Sequence, residues 1–414
     1  MTTRPDASGA KLICDITQSW SEVGGGVGTY LRRKREHILS HTPHRHLLIV
    51  PGERNSIQET SRTATVTIAS PTVPSSPNYR LLIRNRAVRE TLERFRPDVI
   101  ECQDSYNLPW AALGHRRRYP DTALVAGYFT DFPTAYVHRP LKPMVGSALA
   151  GGLRSLAYLY CGSLYRRFDA VYALSENGGA SKLRELGVGD VGIVPLGVEL
   201  DDFSPAARDP GLRRSLGIGE AEPLLIYVGR MDRERRAQLV VDAFNRLPKA
   251  LGARLALIGE GPVRDNILSS GNPRVIAPGY LTCRTELSRW LASADIYVSA
   301  MADETFGVSV IEAQASGLPV VGVAAGAMLD RVDSDTGRLG PVEDSATMAT
   351  NILEVWRGDR ASMGVAAREH VEGQFSWERT FRTLFGEIYP AAFAARRAAL
   401  RTQRQGAFAS GTAA

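Results

Sequence analysis

At 414 residues, with 44% hydrophobic and 23% charged side chains, the chain is too long for one ordinary core and apolar enough to build two. Its net charge of +6 comes without the aromatic motifs of a nucleic-acid binder, so no nucleic-acid partner is expected. The four cysteines, Cys14, Cys102, Cys161 and Cys283, are scattered without metal spacing, which fits reduced thiols in a cytoplasmic protein rather than a disulfide framework.

Residues 1–11 are polar, carry no apolar signal-peptide core and read as a loose tail. In the first half KLICDI, HLLIV, DVIE, ALVAG, AVYAL and VGIVP read as strands with helical stretches between them, a pattern that predicts a parallel, doubly wound α/β sheet. After the first of these strands comes a glycine loop, Gly24, Gly25, Gly26 and Gly28, ahead of a helix expected to start near Thr29. Such a loop lets backbone N–H groups approach a phosphate or a sugar, although a plain surface turn uses the same residues. Leu31 stands where a dinucleotide fingerprint would place its third glycine, which argues against a nicotinamide cofactor.

Arginines follow at 80, 84, 86, 89, 94 and 96 and again at 116–118. Residues 143–165 form a weakly polar stretch broken only by Arg154, too rich in glycine and small residues for a membrane span. It reads equally as a buried helix beside solvated arginines or as a helix in peripheral contact with an anionic membrane. Residues 198–223, with Pro205, Pro210, Gly211, Gly217 and Gly219, read as a linker.

In the second half LLIYV, RLALI, IYVS and PVVGV repeat the strand scheme. GRMDRERR (229–236) follows LLIYV, so Arg230 and Arg235 leave a strand end as two cations able to neutralise a departing diphosphate, while Arg233 and Arg236 read as solvated. The most informative segment is ADETFGVSVIEAQASGLPVVG, in which seven residues separate Glu304 from Glu312. A strand, a polar loop, Gly307, a helix from about Val308, and a stop at Gly317 and Pro319 place Glu304 at a strand's carboxyl end and Glu312 on the next helix. Ionised carboxylates there suit hydroxyl-rich ligands. Asp333, Asp335, His44 and His46 show only chance spacing, and no metal is expected.

This segment resembles the nucleotide-sugar site of retaining glycosyltransferases of GT-B architecture, family 4 (group 1 type). GGGVGTYL, VYALSENGGASKLRELGVGDVGIVPLGVELDDFSP, LLIYVGRMDRERRAQLVVDAF, LALIGEGP, PGYLTCRTELSRWLASADIYVSA and FSWERTFRTLFGEIY also resemble family segments, so the likeness covers most of the chain. It implies two Rossmann-like domains facing a deep cleft, with an acceptor-side domain at 1–200, a nucleotide-sugar domain at 201–375, and at 376–414 a helix crossing back plus a loose tail. Carried over, Glu312 holds the ribose hydroxyls and Glu304 the donor sugar. Arg230 and Arg235 stabilise the diphosphate, together with Gly25, Gly26 and the Phe306, Gly307 and Val308 turn. The leaving phosphate itself takes the acceptor proton, and cationic side chains replace a divalent ion.

Two positions depart from the family pattern. Arg235 stands where lysine is usual, and in YFTDFP (128–133) Phe129 replaces an imidazole that faces the transferred sugar. Asp131 is a speculative substitute for that sugar contact, or else a loop or cap residue.

The implied activity is transfer of mannose or another hexose, from GDP-mannose or a UDP-hexose, to a glycan or lipid-linked acceptor. The resemblance is nearest to bacterial enzymes of glycolipid and surface-polysaccharide synthesis, acting in the cytoplasm or peripherally on the inner face of the cell membrane. Phe129 and Arg235 motivate an alternative, a catalytically silent partner of the same fold that shows neither transfer nor donor hydrolysis. A third reading, a sugar-nucleotide epimerase of related fold, predicts an isomerised donor without acceptor.

Overall fold

The computed structural model describes residues 9–21, 25–73, 76–269 and 271–411. It divides into two compact units, one of Met1–Leu174, Gly179–Val194 and Phe381–Ala414, the other of Ser175–Gly178 and Pro195–Thr380. The divisions fall at 194/195 and 380/381, a few residues from the 200/201 and 375/376 boundaries read from the sequence.

The first unit holds β1 (Leu12–Ile16), β2 (Arg45–Gly52), β3 (Ser56–Glu59), β4 (Thr63–Ala69), the short antiparallel pair β5 (Thr72–Val73) and β6 (Ser76–Arg80), then β7 (Val99–Cys102), β8 (Ala123–Tyr128), β9 (Ala170–Ala173) and β10 (Val191–Ile193). Its main sheet runs β10-β9-β8-β7-β1-β2-β4-β3, parallel except where β3 meets β4. β1, β7 and β8 are buried throughout, as expected of strands covered on both faces, whereas β4 alternates half-buried threonine with buried Ala64, Val66 and Ile68. The chain builds outward from β1 to β2 and β4, then crosses to β7 and proceeds the other way. The topological switch point therefore lies between β1 and β7.

The second unit holds β11 (Leu224–Val228), β12 (Arg254–Ile258), β13 (Val275–Gly279), β14 (Ile296–Val298), β15 (Val320–Val323) and β16 (Gly337–Gly340). All are parallel in the order β13-β12-β11-β14-β15-β16, so its switch point lies between β11 and β14. Helix Ala237–Asn245 sets Val240, Val241 and Phe244 against Leu225, Leu255 and Ile296 of the sheet in one apolar core, joined by Met348 and Ile352 of helix Ser345–Arg357.

Besides the strands it did not read, β3, β4, β13 and β16 among them, the sequence reading differs from the structure at three further places. The helix after the glycine loop starts at Gly26 rather than near Thr29. Residues 198–223 are an integral part of the second unit: Arg213, only 4% exposed, binds the Asp295 carboxylate at 2.8 Å and the carbonyls of Ser293, Gly219 and Glu222. Pro205 opens a 3-10 turn (Pro205–Ala207), Pro210 opens a short helix (Pro210–Ser215), and Gly217 (φ +65°) follows that helix, so the breaker-rich composition marks element ends rather than slack. Finally, the stretch around 143–165 is a helix from Arg139 to Tyr165, interrupted at Gly146 (φ 80°, ψ 165°). No helix among the described residues is long and apolar enough to cross a membrane.

Candidate active site

In the second unit, the loops that leave β11 and β14 flank the switch point, and they carry the residues singled out in the sequence. Arg235 and Glu304 meet there, Nη1 to Oε2 at 3.8 Å, from opposite sides of the crevice. Arg230 is exposed at the mouth of the β11 loop, 3.4 Å from the Asp232 carboxylate. Asp232 in turn accepts the Arg235 backbone N–H at 2.9 Å, and the Tyr227 hydroxyl donates to the Arg230 carbonyl at 2.7 Å, so both ends of this loop are fixed. The β12 loop supports it from beneath. Gly229 N–H reaches the Ile258 carbonyl and Met231 N–H the Glu260 carbonyl, each at 2.9 Å, and a Cβ on Gly259 would stand 2.1 Å from the Gly229 oxygen. Only glycine permits that approach.

The β14 loop is shaped the same way. Gly307 has φ +87°, a left-handed conformation that favours glycine, and it opens helix Val308–Ala315, whose first N–H groups have no intrahelical partner. Phe306 is 2% exposed, so its contribution is backbone alone, its N–H lying 3.4 Å from Glu304 Oε1. Arg331, which sequence reasoning missed, fixes this turn. Its Nε donates to the Phe306 carbonyl at 3.0 Å and its guanidinium lies 4.4 Å from the Phe306 ring centroid and 4.5 Å from that of Phe375. Burial pulls Arg331 down to about 10. An arginine 25 residues beyond Phe306 carries no local pattern that would reveal it.

Glu312 lies one turn into the helix, buried, with Arg284 Nη2 at 3.3 Å from Oε1. Burial raises its carboxyl to about 7, with the Arg284 charge opposing the rise. Arg284 is a second residue that sequence reading did not find. Arg236, read as solvated, is instead ion-paired with Glu343 and lies 4.0 Å from Asp303, which ties the start of helix Ala237–Asn245 to neighbouring loops. Arg233 is exposed, as the sequence reading has it. Asp333 accepts the N–H groups of Asp335 and Thr336, a turn that occupies the Asp-Ser-Asp triplet. Among the described residues no group of three or more His, Cys, Asp or Glu is placed to hold a metal ion.

In the first unit, Gly25 (φ +92°) precedes helix Gly26–His41 at the switch point between β1 and β7. Gly24 lies outside the described residues. Asp104, just after β7, holds the start of this loop by accepting the Thr17 hydroxyl, the Gln18 N–H and the Ser19 hydroxyl at 3.0, 2.5 and 2.8 Å. Behind it lies a buried network: Glu101 accepts from Tyr30, Tyr172, Tyr389, Lys34 and Gln103, and Asp15 from Lys34, Gln103 and His46. Arg35 Nε donates to His46 Nδ1 at 2.9 Å, so His46 is neutral with its proton on Nε2, and burial lowers its pKa.

Phe129 is 7% exposed and packs between Tyr30 and Tyr172, at 5.2 and 6.1 Å between centroids. Asp131 is saturated within the unit: its carboxylate takes Lys182, Tyr158 and the Thr134 N–H, and the Lys182 ammonium keeps it ionised below the usual carboxylate range despite burial.

Residues 24–202 match the model of Glycosyltransferase Family 4 and residues 222–357 that of Glycosyl transferases group 1. Sulfoquinovosyl transferase SQD2 of Arabidopsis thaliana is 32% identical over 75% of this chain and 60% of its own length. The GDP-mannose-dependent alpha-(1-6)-phosphatidylinositol dimannoside mannosyltransferase of Mycobacterium tuberculosis is 28% identical over 93% of this chain and 97% of that protein. Among solved structures, sucrose-phosphate synthase from Thermosynechococcus elongatus superposes with a TM-score of 0.73 at 22% identity, covering 93% of this chain and all of the other. HepE of Anabaena, solved in complex with UDP, superposes at 0.68 with 15% identity, covering 92% of this chain and all of the other.

Proposed function

The chain belongs to glycosyltransferase family 4, with two Rossmann-like domains of the GT-B fold, and we propose that it moves a hexosyl unit from a nucleotide diphosphate sugar to an acceptor hydroxyl with retention at the anomeric carbon. The observation that carries this reading is the meeting of Arg235 and Glu304 across the β11/β14 switch point, where a doubly wound sheet binds its ligand. Glu312 accepts the ribose hydroxyls, displacing Arg284 from the carboxylate. Glu304 accepts hydroxyls of the donor sugar and holds the Arg235 guanidinium toward the diphosphate. Arg230 and the open N–H groups of the Gly307 and Val308 turn supply the remaining positive potential as the bond to phosphate breaks. With these cations in place the leaving phosphate takes the acceptor proton, and turnover should survive chelation of divalent ions.

The mycobacterial relative names GDP-mannose and the Anabaena structure carries UDP, which makes GDP-mannose and UDP-hexoses the first donors to try. A lipid-linked or polysaccharide acceptor, met at the inner face of the membrane, is supported by exposed apolar side chains along helix Arg139–Tyr165, Met144, Leu149, Leu156 and Leu159 among them. The deciding measurement is thermal stability of the purified chain against GDP, UDP, ADP and their sugars, beside Glu312→Ala. One nucleotide at about 100 times its Kd should add roughly 2.7 kcal/mol, a rise of several degrees, and the variant should lose it. Absence of any shift would favour the silent partner, for which the burial of Phe129 where the family has an imidazole is the supporting observation.

A further inference from the structure

The first unit carries a second concentration of positive charge, remote in sequence from the glycine loop, which the proposed reaction does not use. A cavity of about 660 Å³ opens between the end of helix Leu108–Arg118, the end of helix Arg139–Tyr165 and the C-terminal helix Tyr389–Gly411. Arg116, Arg117, Arg166, Arg167 and Arg396 line it, with Asp169 as its one carboxylate.

Asp169 is pinned by the Leu124 N–H at 2.8 Å and orients two of the arginines, Arg116 at 3.0 Å and Arg396 at 3.8 Å. Arg167 rests over the Trp110 ring at 5.3 Å, and that indole is held by the Tyr160 hydroxyl at 2.8 Å. Arg396 is 8% exposed, and its Nε lies buried without an acceptor. A buried charged donor left unpaired is costly, and five guanidinium groups facing one carboxylate around a single cavity repel each other. Both costs disappear when an anion enters. Several planar forks converging on one space suit the tetrahedral oxygens of phosphate better than a single carboxylate.

We propose that this basin binds a phosphate-bearing anion larger than orthophosphate, seated on Arg396 and Arg116 and clamped by Arg117, Arg166 and Arg167. The phosphate is that of a lipid headgroup or of a free soluble anion, and the two sources are separable.

The test titrates the full chain with inorganic pyrophosphate by calorimetry at low salt, beside Arg396→Gln, the exposed double variant Arg117→Glu/Arg166→Glu, and Arg235→Ala. Flotation with phosphatidylglycerol vesicles runs in parallel. Pyrophosphate should still bind Arg235→Ala, a substitution that removes only the diphosphate contact of the proposed donor site, which separates this basin from that site. It should bind both basin variants at least roughly 10-fold more weakly. Vesicle binding that weakens in the same variants assigns the phosphate to a headgroup, and vesicle binding that does not weaken assigns it to a soluble anion. The double variant changes only exposed side chains, so its result stands even if Arg396→Gln fails to fold. Pyrophosphate binding lost only in Arg235→Ala, or basin variants that match the parent in both assays, would overturn the proposal.

Discussion

Glu312 is a buried acid whose ionisation the fold resists, and its titration makes a prediction with a definite sign. Its folded pKa of about 7 stands above the ordinary 4.5, so its stabilising contribution is present below the ordinary value and is lost as pH rises through about 7. Glu312→Gln should therefore melt higher than the parent at pH 8 and draw level near pH 5, read by calorimetry. In the role proposed for Glu312 the ionised form accepts the ribose hydroxyls, so nucleotide affinity should run the other way. It should fall as pH drops through about 7 in the parent and stay flat in Glu312→Gln, by titration across pH 5.5–8.5. At Arg235 the expectation is kinetic: Arg235→Ala should cost roughly 10² in turnover, as loss of one charge-stabilising donor does, whereas Arg235→Lys should keep most of it. Equal rates in all three proteins would remove Arg235 from the reaction.

Among the elements, the loop after β11 is only as well placed as the glycine beneath it. Gly259→Ala drives a methyl group into the Gly229 carbonyl, so the loop bearing Arg230 and Arg235 must shift. We expect a loss of roughly 1–3 kcal/mol in urea unfolding and of the nucleotide-dependent thermal shift. How far such elements were legible depended on burial. LICDI, LLIYV, RLALI and IYV read clearly because strands covered on both faces are runs of branched apolar residues. VIAPG and GRLG, the edge strands β13 and β16, did not, since glycine and proline there mimic turn signals and the half-exposed edges need few apolar residues. The candidate site split along the same line. Glu304, Gly307 and Glu312 share one continuous motif, while Arg284 and Arg331 come from separate elements and only folding brings them to it. Phe129 and Asp131 looked like site residues by position, yet one packs in an aromatic cluster and the other is saturated by Lys182 and Tyr158.

At the level of the whole molecule, the C-terminal segment is part of the first unit's interior. Tyr389 crosses 288 positions of sequence to donate to Glu101 Oε2 at 2.7 Å, inside a network where Lys34 is fully buried between Glu101 and Asp15. Removing its hydroxyl leaves a buried carboxylate one donor short. Tyr389→Phe should cost about 1.5–3 kcal/mol in urea unfolding, with nucleotide binding unchanged at the melting-independent temperature of 25 °C. A variant as stable as the parent would show that Lys34, Tyr30, Tyr172 and Gln103 satisfy Glu101 without it.

That same return of the chain has a consequence for biosynthesis. A ribosome releases this polypeptide from its first residue onward, yet the first unit includes Phe381–Ala414 and the second is nearly continuous from Pro195 to Thr380. The usual order, in which the amino-terminal domain matures first, is therefore inverted. While the middle of the chain can close around its own sheet during elongation, Asp15, Lys34 and Glu101 must wait, incompletely partnered, for a tyrosine that is synthesised only after the whole of the second unit.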